Sequence, residues 1–445
     1  MKDGPRAVVL VGNPVAPYSR ALRIARTLNG LGYAVEIACV AGPGLPAAED
    51  GEGYVLRRYV PSSRWPGRWP RGRTNARGRT EEAPLDTHGP AGSAGRASRI
   101  VDRVARTAAA VRRWLWWPHT VRGWWRTLAR ELAPADLYHA CGSLTIAPAL
   151  AARRRAPFGP SGRRAVVIYD AIDDVFESNN VLDMPRPIRA WHARRETAWA
   201  QAADAIVTVN EPLAERLGAR WSRQITAVPN YPEPRSPQPE ADPGPDLIRA
   251  GLGIPTATRI VLFQGRLGPR LGLDAAAEGV LLVRDAALVL LGFGRGFERE
   301  RAMDTEPRFA GRHFTIPARH PDELLAWTAS ADVALIPLPP VSVNQRLSSP
   351  NKFWEALAAG TPVVVPAGLT YIADLVRTDD LGVVARSESA EDLATALHTV
   401  LEAGPAATAA RRARIAALAH ERFSWPVAAE RYRAVVTGIR VPETR

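Results

Sequence analysis

Ser348 to Val365 reads SSPNKFWEALAAGTPVVV and packs a turn, a helix and a strand into 18 residues. Pro350 fixes φ, and Asn351 is a natural helix N-cap. Lys352 to Ala359 is expected as a short helix, with Phe353, Trp354 and Leu357 supplying the apolar spacing. Gly360 stops it in the C′ position, and Thr361-Pro362 bars continuation. Val363-Val364-Val365 is a β-branched run suited to a buried parallel strand. Turn, helix and strand together leave backbone N–H groups at a helix start, a place that attracts anions and phosphates above all. Lys352 is one of only two lysines, with Lys2 the other, in a chain that otherwise uses arginine. A lysine inside such a turn therefore stands out.

A chain of 445 residues with 46% apolar content can bury a large core and should split into two or more domains. Cys39 and Cys141 provide no disulfide framework and each sits in an apolar run, which favours a reducing, cytoplasmic setting. The opening MKDGPRAVVLVGN is expected to start a strand and lacks the pattern of a signal peptide. No apolar run approaches the roughly 20 residues of a membrane span. Between Arg57 and Arg130 there are 17 arginines against Glu81, Glu82, Asp86 and Asp102, so this segment holds a surplus equal to the whole net charge of +13. The basic character belongs to one region and says little about the fold.

Ala7 to Val11, Ser19 to Leu31 and Val35 to Val40 read as strand, helix, strand, which implies a doubly wound parallel sheet with a ligand crevice at the strand C-termini. The dinucleotide pattern G-x-G-x-x-G is missing there. Ser62 to Ser98 mixes Pro, Gly and Arg without periodicity and reads as a mobile loop or inserted flap. Arg99 to Leu132 is helical in pattern around Pro118, with Trp114, Trp116, Trp117, Trp124 and Trp125 among arginines. Three readings stay open for it: an interfacial helix on an anionic membrane, a surface stacking on nucleic acid, or a helix that buries its tryptophans in its own domain. Later strands are expected at Val166 to Tyr169, Asp204 to Val209, Ala227 to Pro232, Arg259 to Phe263, Ala287 to Leu291, His313 to Pro317 and Asp332 to Pro337. The proline-rich acidic stretch after Pro232 reads as a hinge.

The opening stretch resembles the donor-binding segment of the GT-B glycosyltransferases, specifically the retaining family 4 type, with its PNK-F-E-x-L-A-x-G-x-P-V-V pattern. Further matches are the ADLYH and YDAIDD strand ends, DAIVTV, AVPNYP, the Gln264-Gly265-Arg266 run, ADVALIPL and Phe423-Ser424-Trp425. The resemblance implies two Rossmann-like domains facing across a cleft. They would be an N-terminal domain over 1–232 with a basic insert at 57–130, a hinge at 233–247, a donor domain over 248–422, and a helix crossing back over 423–445. It implies sugar transfer from a nucleotide diphosphate sugar to an unidentified acceptor, with no metal and no nucleic-acid partner. Arg266 and Lys352 would meet the donor diphosphate, with the backbone around Ser348, Ser349, Pro350 and Asn351 at the helix start. Glu355 would hold the ribose hydroxyls. Gly265, Arg270, Gly292, Gly294 and Ile316 would complete the donor side. His139 and Asp170 would serve catalysis or the acceptor, and Asp173 and Asp174 could hold acceptor hydroxyls. Membrane-surface contact through 99–130 would suit a lipid-linked acceptor. The Arg- and Ala-rich composition suggests a GC-rich bacterial genome, with envelope polymers or secondary metabolites as the two settings.

The chain departs from the family at three positions. Leu347 stands where many members place the first of two glutamates, Leu271 where a lysine commonly follows the arginine, and Cys141 where a second histidine is usual. These departures keep a rival open, a catalytically degenerate GT-B protein that scaffolds or regulates another transferase.

Overall fold

The computed structural model describes residues 4–15, 19–62, 73–74, 80–81, 121–181, 184–233 and 246–439. Most of the loop expected over 62–98, the first part of the helix expected over 99–132, and hinge residues 234–245 lie outside the described residues.

Two parallel sheets organise the chain. In the first, β1 (Arg6–Val11) is followed by α1 (Ser19–Gly30), β2 (Ala34–Val40), and the strands β3 (Ala48–Gly51) and β4 (Tyr54–Tyr59). A helix over 121–131, α2, precedes β5 (Leu137–Cys141), α3 (Ile146–Arg155), β6 (Val166–Ala171), α4 (Arg186–Ala202), β7 (Ala205–Thr208), α5 (Glu211–Trp221) and β8 (Thr226–Ala227). Strand order is β8-β7-β6-β5-β1-β2-β4-β3, parallel except for β3 against β4. Val8, Val9 and Leu10 have no exposure, because β1 lies in mid-sheet with cover on both faces. Strand order reverses between β1 and β5, which opens a crevice above Gly12-Asn13-Pro14 and Gly142-Ser143.

The second sheet repeats the plan. Its elements are α6 (Leu247–Leu252), β9 (Arg259–Arg266), α7 (Leu273–Leu281), β10 (Ala286–Phe293), α8 (Phe297–Met303), β11 (His313–Pro317), α9 (Pro321–Ala329) and β12 (Val333–Leu335). Then follow α10 (Val343–Arg346), α11 (Asn351–Ala358), β13 (Val363–Pro366), α12 (Thr370–Thr378), β14 (Gly382–Ala385), α13 (Ala390–Leu401), α14 (Pro405–Arg422) and α15 (Trp425–Gly438). The order β11-β10-β9-β12-β13-β14 is all parallel and reverses between β9 and β12. The loops leaving those two strands, 267–272 and 336–349, therefore flank the second crevice.

The stretch 348–365 folds as turn, helix and strand, with one local correction. The N-cap is Pro350, so Asn351 is the first helical residue and no side chain caps the start of α11. At the other end Gly360 takes φ +68°, its N–H donates to Leu357 O, and Thr361 N–H donates to Ala356 O. This is a Schellman closure, the left-handed turn that favours glycine. A Cβ on Gly360 would also come within 2.9 Å of the Arg412 carbonyl of α14.

The chain crosses to the second domain after β8 and returns through α15. Tyr231, Trp354 and Phe423 pack at that crossing, with ring centroids 4.7 to 5.6 Å apart. Trp425 donates its indole N–H to Thr27 Oγ1 (3.2 Å) and its backbone N–H to Pro232 O (2.8 Å), which fastens α15 to the first domain. One apolar cluster runs through the crossing, from Val9 and Ile24 to Phe353, Val363 and Tyr432.

Of the helix for which three readings stand open, residues 121–131 are described, and the two tryptophans there follow the third, burial in their own domain. Trp124 is buried with Leu128 and Leu132. Trp125 donates to Leu144 O (2.8 Å) and meets Trp199 edge-on at 6.0 Å. Both indoles serve their own domain, while Arg122, Arg126 and Arg130 stay exposed at helical spacing.

Candidate functional site

Lys352 is the second residue of α11, and its helical position throws the side chain back toward the end of β9. Its Nζ lies 3.6 Å from the centre of the Phe263 ring. A Cβ on Gly265, at φ +119°, would lie 3.5 Å from the same Nζ. Burial pushes the Lys352 ammonium down to about 7; Arg266 adds to the fall and Glu355 opposes it. One turn along, Glu355 accepts from Gln264 Nε2 (2.6 Å), and Gln264 accepts in turn from Thr328 Oγ1 (2.6 Å). Burial raises the Glu355 pKa, while the Gln264 hydrogen bond and the charges of Arg23 and Lys352 oppose the rise. A cation, a carboxylate and an uncapped helix start thus share one end of the β9–β12 crevice.

The glycine loops mesh with each other. Gly292 carries Gly265 O within 2.5 Å of any added Cβ, and Gly294, at φ +108°, has Arg266 Cγ within 3.1 Å. Close approach at Gly292 is therefore made by the neighbouring loop itself. Arg266 is exposed at the strand end, and Arg270 is exposed further on with φ 63°. Ile316 is buried at the end of β11 in a cluster with Leu262 and Leu291, so its side chain belongs to the core.

His139 and Asp170 are brought together, but away from any opening, which corrects their expected place at the crevice. Both are fully buried. Arg20 grips Asp170 with Nε and Nη2, each at 2.7 Å, and donates through Nη1 to Val228 O. His139 sets Nε2 3.2 Å from Asp170 and Nδ1 2.9 Å from the Tyr432 hydroxyl. A carboxylate only accepts, so Nε2 carries the proton and Nδ1 accepts from tyrosine. Burial alone would raise Asp170, yet Arg20 and His139 hold it down at about 2. Cys141 completes a trio whose candidate ligand atoms lie within 4.8 Å of one another. A cation there would face the Arg20 guanidinium, so the trio suits structure rather than metal.

Asp174 is buried and paired with Arg216 (2.8 Å) and Arg220 (2.7 Å), while Asp173 accepts from Asn344 Nδ2 (3.0 Å). Neither carboxylate stands free in the loop. Leu271, at the lysine position, packs on the apolar cores instead. A cavity of about 340 Å³ opens between α1 and the β3–β4 hairpin, lined by Val15, Leu22, Leu45, Tyr54, Arg58 and, from the second domain, His320.

Residues absent from the sequence-based set contribute as much as those in it. Gln264 interrupts an otherwise apolar strand run, RIVLFQ, and that polar break was the available signal. Arg23 donates to Asn230 Oδ1 (2.9 Å), and Asn230 donates to Asn351 Oδ1 (2.8 Å). Asn210 reaches Leu347 O at 2.8 Å. These asparagines act across the domain boundary, and although Asn230 lies in the AVPNYP match, neither Asn210 nor Asn230 carries a pattern that points to its partner.

The architecture can be compared with solved structures. Sucrose-phosphate synthase from Thermosynechococcus elongatus superposes with a TM-score of 0.64 at 17% identity, covering 97% of this chain and all of that one. HepE of Anabaena, in complex with UDP and glucose, gives a TM-score of 0.61 at 14% identity over 98% of this chain and all of that one. The fold is GT-B. Within it, residues 258–403 match the family model described as "Glycosyl transferases group 1", which places that domain in the second half of the chain. D-inositol 3-phosphate glycosyltransferase of Corynebacterium aurimucosum is 32% identical over 229 residues, 46% of this chain and 50% of that protein. The protein of the same name from Mycolicibacterium gilvum is 30% identical over 163 residues, 35% of each chain. The chain thus spans half or less of these curated relatives.

Proposed function

We propose that this GT-B chain transfers a sugar from a nucleotide diphosphate sugar to an acceptor, with retention at the anomeric carbon. One observation carries the reading: Lys352 holds its ammonium against Phe263 beside Gly265, at the open start of α11 and next to Glu355. The leaving group is a diphosphate, and charge grows on its bridging oxygen as the glycosidic bond breaks. Lys352, Arg266 and the first amides of α11 neutralise that charge without a metal. Glu355, oriented by Gln264, accepts from the ribose hydroxyls. HepE was solved with UDP and glucose, which makes UDP the first nucleotide to try. We infer that the cavity beside α1, which residues of both domains line, receives the acceptor: Leu45→Trp, in its loop wall, should suppress transfer while leaving donor hydrolysis intact. Equal loss of both activities would remove the acceptor from that cavity.

The test of the function is a screen of nucleoside diphosphates by thermal shift, followed by release of diphosphate from the matching nucleotide sugars. Stabilisation and turnover support the enzyme. Stabilisation without turnover supports a second reading, a GT-B scaffold that keeps its donor site; Leu347 and Leu271, both apolar where polar groups are common, favour it. No stabilisation by any nucleoside diphosphate would sink both.

The protein works in the cytoplasm at an anionic membrane face, through the basic segment 99–130. Among the described residues no helix is long and apolar enough to cross a membrane. The exposed Arg122, Arg126 and Arg130 support contact by charge. Co-sedimentation with phosphatidylglycerol vesicles, absent with phosphatidylcholine and reduced by reversing those three charges, is the expected outcome. Equal recovery in the supernatant with both lipids would refute it.

A further inference from the structure

Three parts of the N-terminal domain grip the stretch that leads into the donor turn. From the loop after β6, the Asp174 backbone N–H donates to Asn344 Oδ1 (2.7 Å), and Asn344 Nδ2 donates to Asp173 (3.0 Å). From the start of α5, Asn210 Nδ2 donates to Leu347 O (2.8 Å) and to Ser349 Oγ (3.2 Å). From the exit of β8, Asn230 donates to Asn351 Oδ1 (2.8 Å). Asn179 adds a bond to Gln345. The grip therefore covers residues 344 to 351 and ends one residue before Lys352.

Asn210 is tied at both ends. Its Oδ1 accepts from Leu213 N–H (2.9 Å) and caps α5, and its side chain is fully buried. With that oxygen held by the helix, the Nδ2 direction is set, and the 347–349 segment meets it through Leu347 O and Ser349 Oγ. Asp174 is equally fixed by Arg216 and Arg220, so the amide that meets Asn344 is not free to follow it. The second domain supports the first part of this loop itself: Ser342 Oγ accepts from Gln345 N–H (3.2 Å) and caps α10, Ser348 Oγ donates to Gln345 O (2.9 Å), Arg346 O accepts from Thr370 Oγ1 (3.1 Å), and Arg346 Nη1 donates to Pro340 O (3.2 Å); these bonds end at residue 348.

The geometry assigns Asn210 and Asn344 as positioning residues that hold the 344–351 segment from the opposite domain, so that the diphosphate-binding turn is ordered only while the two domains are apposed. The inference rests on the donor-site reading above and adds to it that the acceptor-side domain completes the donor site. Leu347 fits this assignment. Where a glutamate side chain is common, this chain uses the backbone carbonyl of the position as the interdomain contact, and that use needs no polar side chain.

Two variants test it from opposite sides of the boundary. Asn210→Ser keeps an oxygen that can cap α5 but loses the Nδ2 donor. Asn344→Leu removes both bonds to the β6 loop. UDP, or whichever diphosphate the screen selects, is titrated calorimetrically, and donor hydrolysis gives KM and kcat. Each variant should bind the diphosphate about tenfold more weakly and raise the donor KM by a similar factor, with kcat and melting temperature near wild type. Affinity within twofold of wild type in both variants overturns the assignment. So does a loss of kcat that follows a fall in melting temperature, which is the mark of damage to the fold. If the wild-type chain binds no nucleoside diphosphate, the donor reading fails first and takes this one with it.

Discussion

Lys352 gives the donor site a pH dependence that can be worked out in advance. Its ordinary pKa is about 10.4, and burial together with Arg266 brings it to about 7 in the free protein. A bound diphosphate favours the charged ammonium and returns the pKa upward, so binding above pH 7 takes up a proton. Half of the free protein carries the charge at pH 7 and about one part in eleven at pH 8, so affinity should fall about fivefold between them. The diphosphate contributes little over this range, because a terminal phosphate titrates near 6. Stability should move the other way. The unfolded lysine holds its proton between about 7 and 10 while the folded one has lost it, and stability rises with pH wherever the unfolded state binds more protons. Calorimetric titration of UDP at pH 7.0, 7.5 and 8.0, paired with urea denaturation at pH 7 to 9.5, measures both slopes. In Lys352→Met both slopes should flatten. An affinity that is level across the range, or an unchanged slope in Lys352→Met, would refute the argument.

Two further outcomes follow from packing. Arg20→Met leaves Asp170 buried with only His139 opposite, and removing one partner of a buried pair costs roughly 3–5 kcal/mol. The urea midpoint should fall accordingly, whereas Asp170→Asn with native stability and no turnover would return Asp170 to the catalytic role. Gly360→Ala forces a Cβ onto a left-handed residue 2.9 Å from Arg412 O. It should lose about 1–3 kcal/mol, and an unchanged melting temperature would show that α11 can end otherwise.

What could be read from residues alone follows from how local each signal is. The stretch 348–365 holds its turn, helix stop and strand within 18 residues, and each is set by neighbours in the chain: proline φ, a glycine C′, a β-branched run. Most mid-sheet strands show in the same way, as apolar runs, whereas Ala48–Gly51, Tyr54–Tyr59 and Gly382–Ala385 lie toward the sheet edges, mix polar with apolar residues or are short, and carry no such signal. The N-cap was misplaced by one residue because Pro350 and Asn351 both suit a helix start, and only the backbone distinguishes them. His139 and Asp170 were misread for a different reason. Polar residues at strand ends look the same whether they face solvent or a buried arginine, and Arg20 lies 150 residues from Asp170 in sequence.

The same distance hides the most consequential part of the site. Asn210 and Leu347 are 137 residues apart, and neither belongs to a motif that names the other. The turn has the local chemistry to attract a phosphate, and its approach segment is held by side chains of the facing domain as well as by its own α10. On the proposed reading, a motif confined to one domain specifies which group is bound, while contacts from the other domain help to place it. On this division a chain can differ from the commoner GT-B pattern at Leu347 and still keep the turn. Leu347 enters the interdomain contact through its carbonyl, a use that a comparison of side chains alone does not register.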